Sequence, residues 1–99
     1  MDNEELIPIE LFCSSYSVDL SFVHTLHDAG LVQVITQRTR QFIPGTELAG
    51  LERMLRLHED LGINIEGLGA VHDLLLRMET MQEEMRALRN RLRRYEEGA

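Results

Sequence analysis

Between residues 65 and 95 the chain carries apolar residues at alternating spacings of three and four: Val71, Leu74, Met78, Met81, Met85, Leu88, Leu92 and Tyr95. This is a heptad a/d seam. With no Pro and no internal Gly after Gly69, it predicts one long helix. Glu83, Glu84, Arg86, Arg89, Arg91, Arg93 and Arg94 fill the positions around the seam, so the rest of that surface is solvated. Two apolar positions per heptad make a stripe too narrow for a globular core and suited to a partner helix. Leu68, Leu75 and Leu76 widen the apolar face in the first turns. The root is therefore expected to pack on the chain's own domain. The distal part, Met78, Met81, Met85, Leu88, Leu92 and Tyr95, is expected to form a homodimer seam.

The long helix leaves residues 1–64 for everything else. A chain of 99 residues holds one small domain and an appendage, not two cores. The expected division is 1–64 as the domain and 65–99 as the helix. Charge follows the same division: ten acids against four Arg up to Asn64, then seven against six from Ile65 onward, out of 17 and 10 in the whole chain. The domain thus carries most of the negative field, which repels phosphate and attracts basic partners. A single Cys excludes an internal disulfide and fits a reducing compartment. The start, Met1-Asp2-Asn3-Glu4-Glu5, is acidic, and no apolar run approaches membrane-spanning length. A cytoplasmic protein without a membrane partner is expected.

Taken in order, residues 1–5 are too polar to pack and are expected to fray. Pro8 suits the first position of a helix running through Ile9, Leu11, Phe12 and Cys13 to Ser15, because its missing N–H is an orphan there anyway. Tyr16-Ser17-Val18 makes a turn, and Asp19 is the expected N-cap of a second helix ending near Ala29, with Gly30 in the left-handed position beyond it. Val23 and Leu26 face the first helix, and two helices so closely joined suggest a helix-turn-helix. Apolar Leu31 to Ile35, polar Thr36 to Gln41 and apolar Phe42-Ile43 read as a short hairpin, or wing, with Arg38 and Arg40 near its tip. Pro44-Gly45 breaks it. Thr46 then caps a third helix, 47–61, whose Leu48, Leu51, Met54, Leu55, His58 and Leu61 share a face. Gly62-Ile63-Asn64 stops that helix, and Asn64 caps the long one.

Little in this inventory does chemistry. His24 and His27 stand at half a zinc site, but no Cys or carboxylate pair at ligand spacing completes it, so no metal and no cofactor are expected. His58 and His72 lie on apolar faces and read as satisfied interior histidines. Cys13, among apolar neighbours and without a second Cys, reads as a small buried hydrophobe. No phosphate loop and no nucleophile–base arrangement is legible, which argues against an enzyme. The Met cluster of the seam fits a coiled-coil core better than an adaptable binding surface. The Arg run from Arg86 to Arg94, interleaved with the seam and with Glu nearby, fits a solvated face better than a nucleic-acid patch.

Helix-turn-helix, wing, helix pair and terminal coiled coil, in that order, resemble MerR-type transcription regulators. The stretches that carry the likeness are Val18-Asp19, Ala29-Gly30-Leu31, Arg40-Gln41-Phe42 and Arg56-Leu57-His58-Glu59-Asp60-Leu61-Gly62-Ile63. The fold this implies is mostly α: a MerR-like winged helix-turn-helix with a short β-hairpin wing, followed by a long C-terminal coiled-coil helix. Over nearly the whole chain the sequence is also similar to the chaperone modulator family CbpM. That similarity rests on Phe12-Cys13, Ala29-Gly30-Leu31, the apolar turn before Glu66-Gly67-Leu68, and Leu88-Arg89-Asn90-Arg91-Leu92. It implies a small inhibitor that binds the J-domain of a DnaJ-like, CbpA-type co-chaperone and keeps it from the DnaK-type chaperone.

The departures from MerR regulators bear on the partner. Those regulators carry Arg and Tyr on the recognition helix where this chain has His24 and Thr25. The helix here has no Lys or Arg, carries Asp19 and Asp28, and places Leu20 and Phe22 where polar contacts are expected. Base reading relies mainly on Arg, Lys, Asn and Gln, and affinity on phosphate neutralisation, so specific nucleic-acid binding is not expected. The residues expected to meet a basic J-domain are Asp19, Leu20, Phe22, His24, Asp28, Glu52, Glu59 and Asp60. A DNA-binding regulator using the Arg-bearing wing stands as the alternative.

Overall fold

The structure is a computed structural model that describes residues 5–98. The chain divides into two units, Met1–Gly69 and Ala70–Ala99. Its elements are β1 (Leu6–Pro8), α1 (Ile9–Tyr16), α2 (Leu20–Asp28), β2 (Ile35–Gln37), β3 (Arg40–Pro44), a 3-10 turn at Gly45–Glu47, α3 (Leu48–Leu61) and α4 (Ile65–Gly98). Most of the expected frayed start lies outside the described residues. Glu5, its last member, is paired: its carbonyl accepts the Gly45 N–H at 2.8 Å.

The wing is a three-stranded antiparallel sheet of order β1-β3-β2, one strand more than the expected hairpin. Leu6, Ile7 and Pro8 lie opposite Pro44, Ile43 and Phe42, and Pro8 is tolerated because β1 is an edge strand. Pro8 therefore closes a strand and serves as the N-cap of α1, one position before the helical site expected for it. The hairpin itself is displaced towards the C-terminus. Leu31 and Val32 are buried outside any strand, and the polar residues Thr36 and Gln37 pair with Gln41 and Arg40. The two-residue loop that remains, Arg38-Thr39, puts Arg38 at a φ of 59°.

Helix ends follow local chemistry. After α2, Gly30 takes a φ of 79°, and the N–H groups of Gly30 and Leu31 bond back to His27 and Leu26 at 2.9 Å each, a Schellman arrangement. Gly62 plays the matching part after α3 at a φ of 68°. Asn64 caps α4 through its side chain, its Oδ1 accepting the Gly67 N–H at 2.8 Å. Thr46 does not cap α3: it lies inside the 3-10 turn, and Glu47 holds the N-cap position without a capping side-chain bond, its Oε1 accepting the Gln33 N–H at 3.0 Å instead.

The helices and the central strand β3 share one core. Ile9 and Phe12 come from α1, Val23 and Leu26 from α2, Ile43 from β3, Leu51, Met54 and Leu55 from α3, and Leu68 from α4, with Leu31 and Val32 from the connecting segment. Each such side chain contributes about 1.5–3 kcal/mol on full burial. Leu61, expected on the buried face of α3, is 68% exposed. It belongs to the last residue before the left-handed Gly62, while Leu57 and Ile63 pack against the core instead.

The second unit is helical. Along it Met78, Met81, Met85, Leu88, Leu92 and Tyr95 are 51–79% exposed. Leu76, counted in the widened root, is also exposed. Glu83 and Arg86 pair at 2.9 Å across one turn, a surface pair worth well under about 1 kcal/mol.

Candidate functional site

The α1–α2 turn is built by Ser17, which takes a φ of 55°, and by Val18, whose N–H reaches back to the Cys13 carbonyl at 2.9 Å. That geometry sets Asp19 at the N-cap of α2 in extended conformation, yet its side chain makes no capping hydrogen bond. From there the helical period sorts α2 into faces. Val23 and Leu26 are buried, and Phe22, beside them, is half-buried against the core. Leu20, His24 and Asp28, each four residues from the next, fall on a different side.

Phe22 meets α3. Its ring centroid lies 4.8 Å from that of His58, with the rings tilted by 31°. His58 is held in place by its Nδ1, which lies 2.8 Å from the Ile63 carbonyl. A carbonyl only accepts, so Nδ1 carries the proton and Nε2 of the neutral ring is an acceptor. Around this ring pair lies an open depression of about 210 Å³, lined by Ser17, Val18, Asp19, Phe22, Leu55, His58 and Glu59. Its exposed lining is more polar than apolar: the Phe22–His58 ring pair is flanked by carboxylates from Asp19, at the N-cap of α2, and Glu59 of α3.

Of the eight residues expected to meet a partner, the depression gathers Asp19, Phe22 and Glu59. His24 is engaged elsewhere: its Nε2 lies 2.8 Å from Gln41 Oε1 and ties α2 to β3. Leu20 and Asp28 are exposed on the same side of α2 as His24, and Asp60 is exposed one residue beyond Glu59. Glu52 is half-buried and accepts a short hydrogen bond from the Tyr16 hydroxyl, while the Tyr16 ring stacks on Phe12 at 4.5 Å between centroids. That bond pushes the Tyr16 phenol above its ordinary value of 10.0. The expected surface is thus two surfaces, one between α2 and α3 and one along α2 towards the wing. Val18, Leu55 and His58 were not among the expected site residues. Leu55 and His58 were marked in the sequence by apolar periodicity, which marks core and groove floor alike, and Val18 only as part of a turn.

The remaining polar groups are structural. His27 Nδ1 donates to the Val32 carbonyl at 3.0 Å and fastens the segment after α2. Among the described residues, no three His, Cys, Asp or Glu side chains gather as metal ligands. Burial raises the Cys13 thiol pKa, and the charges of Asp19 and Glu10 add to the rise, so thiolate is disfavoured. At the wing, Arg40 lies 3.9 Å from Glu10 and 5.4 Å from the Phe42 ring centroid. Arg38, at the turn, is exposed. No described helix is long and apolar enough to cross a membrane.

No curated protein and no solved structure matches the chain significantly. Residues 7–90 do match the family described as MerR HTH family regulatory protein. The match begins within β1, takes in the helix pair, the wing and α3, and runs well into α4. By that match and by the order of its elements, the chain belongs to the MerR HTH family of regulatory proteins.

Proposed function

We propose that this regulatory protein acts on a protein rather than on DNA: it binds the J-domain of a DnaJ-like, CbpA-type co-chaperone and inhibits it by keeping the DnaK-type chaperone away. One observation carries the reading. The helix that reads bases in a DNA-binding helix-turn-helix is preceded here by Asp19, ends in Asp28, contains no Arg or Lys, and presents Leu20 at 43% exposure. Such a face repels phosphates and fits a basic protein surface with apolar contacts. The resemblance to chaperone modulators supplies the partner, whose J-domain offers a basic helix beside a His-Pro-Asp loop. The family is regulatory rather than enzymatic, and the proposed mechanism is occlusion, without chemistry.

The same reading includes a homodimer through α4. A lone helix leaves six large apolar side chains of the seam in water. In an antiparallel pair, the register that sets Met85 against the partner's Leu88 brings Glu84 near the partner's Arg91 twice. The unshifted register opposes Glu84 to Glu84, so charge favours the first. A parallel pair has its own matches, Glu84 with Arg89 and Arg91 with Glu96.

Calorimetry against the J-domain of a DnaJ-like, CbpA-type co-chaperone, at several salt concentrations, tests the proposal. Glu59→Arg with Asp60→Arg should slow association and blunt its salt dependence, and Phe22→Ala should speed dissociation with the dimer intact. No heat at any salt would sink it. DNA binding is the second reading, favoured by the family and by exposed Arg38 at the wing tip. A saturable gel shift on the protein's own promoter that survives competitor DNA would establish it in place of the first.

A further inference from the structure

We infer that the depression between α2 and α3 is a receptacle for one arginine side chain of a basic partner segment, an assignment that rests on the reading of this protein as a binder of basic proteins. Its volume of about 210 Å³ falls below the ~300–1,000 Å³ of small-molecule sites and suits a single long side chain. Half-buried Val18 offers surface to an aliphatic stem, and Phe22 with His58 forms an aromatic wall for a flat cation.

Charge sits where that cation needs it. Asp19 occupies a capping position without capping, so its carboxylate oxygens are not taken up by α2. Glu59 stands in the last turn of α3, where the helix's carbonyl end adds negative potential. The amino end of α2 opposes this with about half a charge, less than the two carboxylates supply. Among the described residues neither Asp19 nor Glu59 is in an ion pair; the pairs formed are Arg40 with Glu10 and Arg86 with Glu83. The Nδ1 bond to the Ile63 carbonyl fixes the His58 ring in place beside Phe22.

The chemistry selects arginine over lysine. A guanidinium stacks on an aromatic face, is weakly hydrated and directs five N–H donors in its own plane towards carboxylates on either side. An ammonium is a compact, strongly hydrated point charge that gains little from the ring wall.

The test is an amide NMR titration of the full chain with N-acetyl-arginine amide and N-acetyl-lysine amide at matched ionic strength. Shifts should centre on residues 17–22 and 55–59, with arginine bound at least about threefold more tightly than lysine. Asp19→Asn with Glu59→Gln, both conservative and at exposed positions, should weaken arginine binding about tenfold, as expected for the loss of two charge-assisted contacts. Phe22→Leu should abolish the preference for arginine. Equal shifts for both cations spread over all acidic surfaces, or affinity untouched by the Asp19 and Glu59 changes, would overturn the assignment. The probe contains no J-domain, so the two proposals fail separately. Arginine binding without J-domain binding removes the proposed function alone. J-domain binding that the Asp19 and Glu59 changes leave unaltered removes the receptacle alone.

Discussion

Leu88→Ala measures the seam of α4 directly. On the unpaired helix Leu88 is 60% exposed, and only that exposed part can be gained by pairing. The substitution removes three carbons, about 2.4 kcal/mol at full burial at ~0.8 kcal/mol per methylene. Scaling by the 60% exposure leaves about 1.4 kcal/mol per site. Two-fold symmetry makes the loss twice in each dimer, about 3 kcal/mol, which raises the dimer Kd about a hundredfold. Sedimentation equilibrium from submicromolar to high micromolar concentration reads this directly. Asn90→Ala, outside the seam, is the control and should change the Kd by less than about threefold. A wild-type chain that stays monomeric at tens of micromolar refutes the dimer. A Leu88→Ala shift no larger than that of the control refutes the seam.

Three further outcomes are expected. In a Cys13→Ala background, a mixture of Met81→Cys and Leu92→Cys chains should form cross-linked heterodimers if the pair is antiparallel, and should not if it is parallel. At Gly67 a Cβ would stand 2.7 Å from Ile63 Cγ2, so Gly67→Ala should give no net stabilisation in the wild type. With Ile63→Ala removing that methyl, the Asn64 Oδ1 at 3.2 Å is the nearest remaining neighbour, and the same change should be better tolerated in urea melts than in the wild type. In a Tyr95→Phe background, ultraviolet titration should find Tyr16 ionising above 10.0, falling back towards it with Glu52→Gln. The raised folded value means that the Tyr16–Glu52 bond stabilises fully below the ordinary phenol range and is lost as pH climbs through the folded pKa.

The parts of the fold legible in the sequence were those set by local chemistry. Gly30 and Gly62 adopt the left-handed ends their positions announced, and Asn64 caps α4. The regular spacing of Leu51, Met54 and Leu55 marked their burial. What stayed hidden depends on contacts distant in sequence. β1 is three residues long, too short for an alternation signal, and exists because β3 is there to pair with it. Leu31-Val32 has the composition of a strand, but both side chains are needed in the core and the pairing moves to the polar residues beyond. Leu61 fits the helical period, yet it stands at the very end of α3, past the part of the helix that the core covers. The candidate site divided in the same way. Charge and residue type nominated Asp19, Phe22 and Glu59, and only packing showed that these three share a depression while His24 is held to Gln41.

Pairing β1 with β3 also sets an order of events. Leu6, Ile7 and Pro8 leave the ribosome before their partners, Phe42 to Pro44, which are made more than thirty residues later. At ~5–20 residues per second the first strand waits roughly 2–7 s for its partner, with its apolar residues unpaired in the meantime. The α1–α2 hairpin needs no such wait, since its contacts lie within residues 9–28. The helix pair can therefore form early in synthesis, and the wing becomes rigid only when the edge strand zips onto β3. The closure of that long loop is the entropic step against which the rest of the domain must condense.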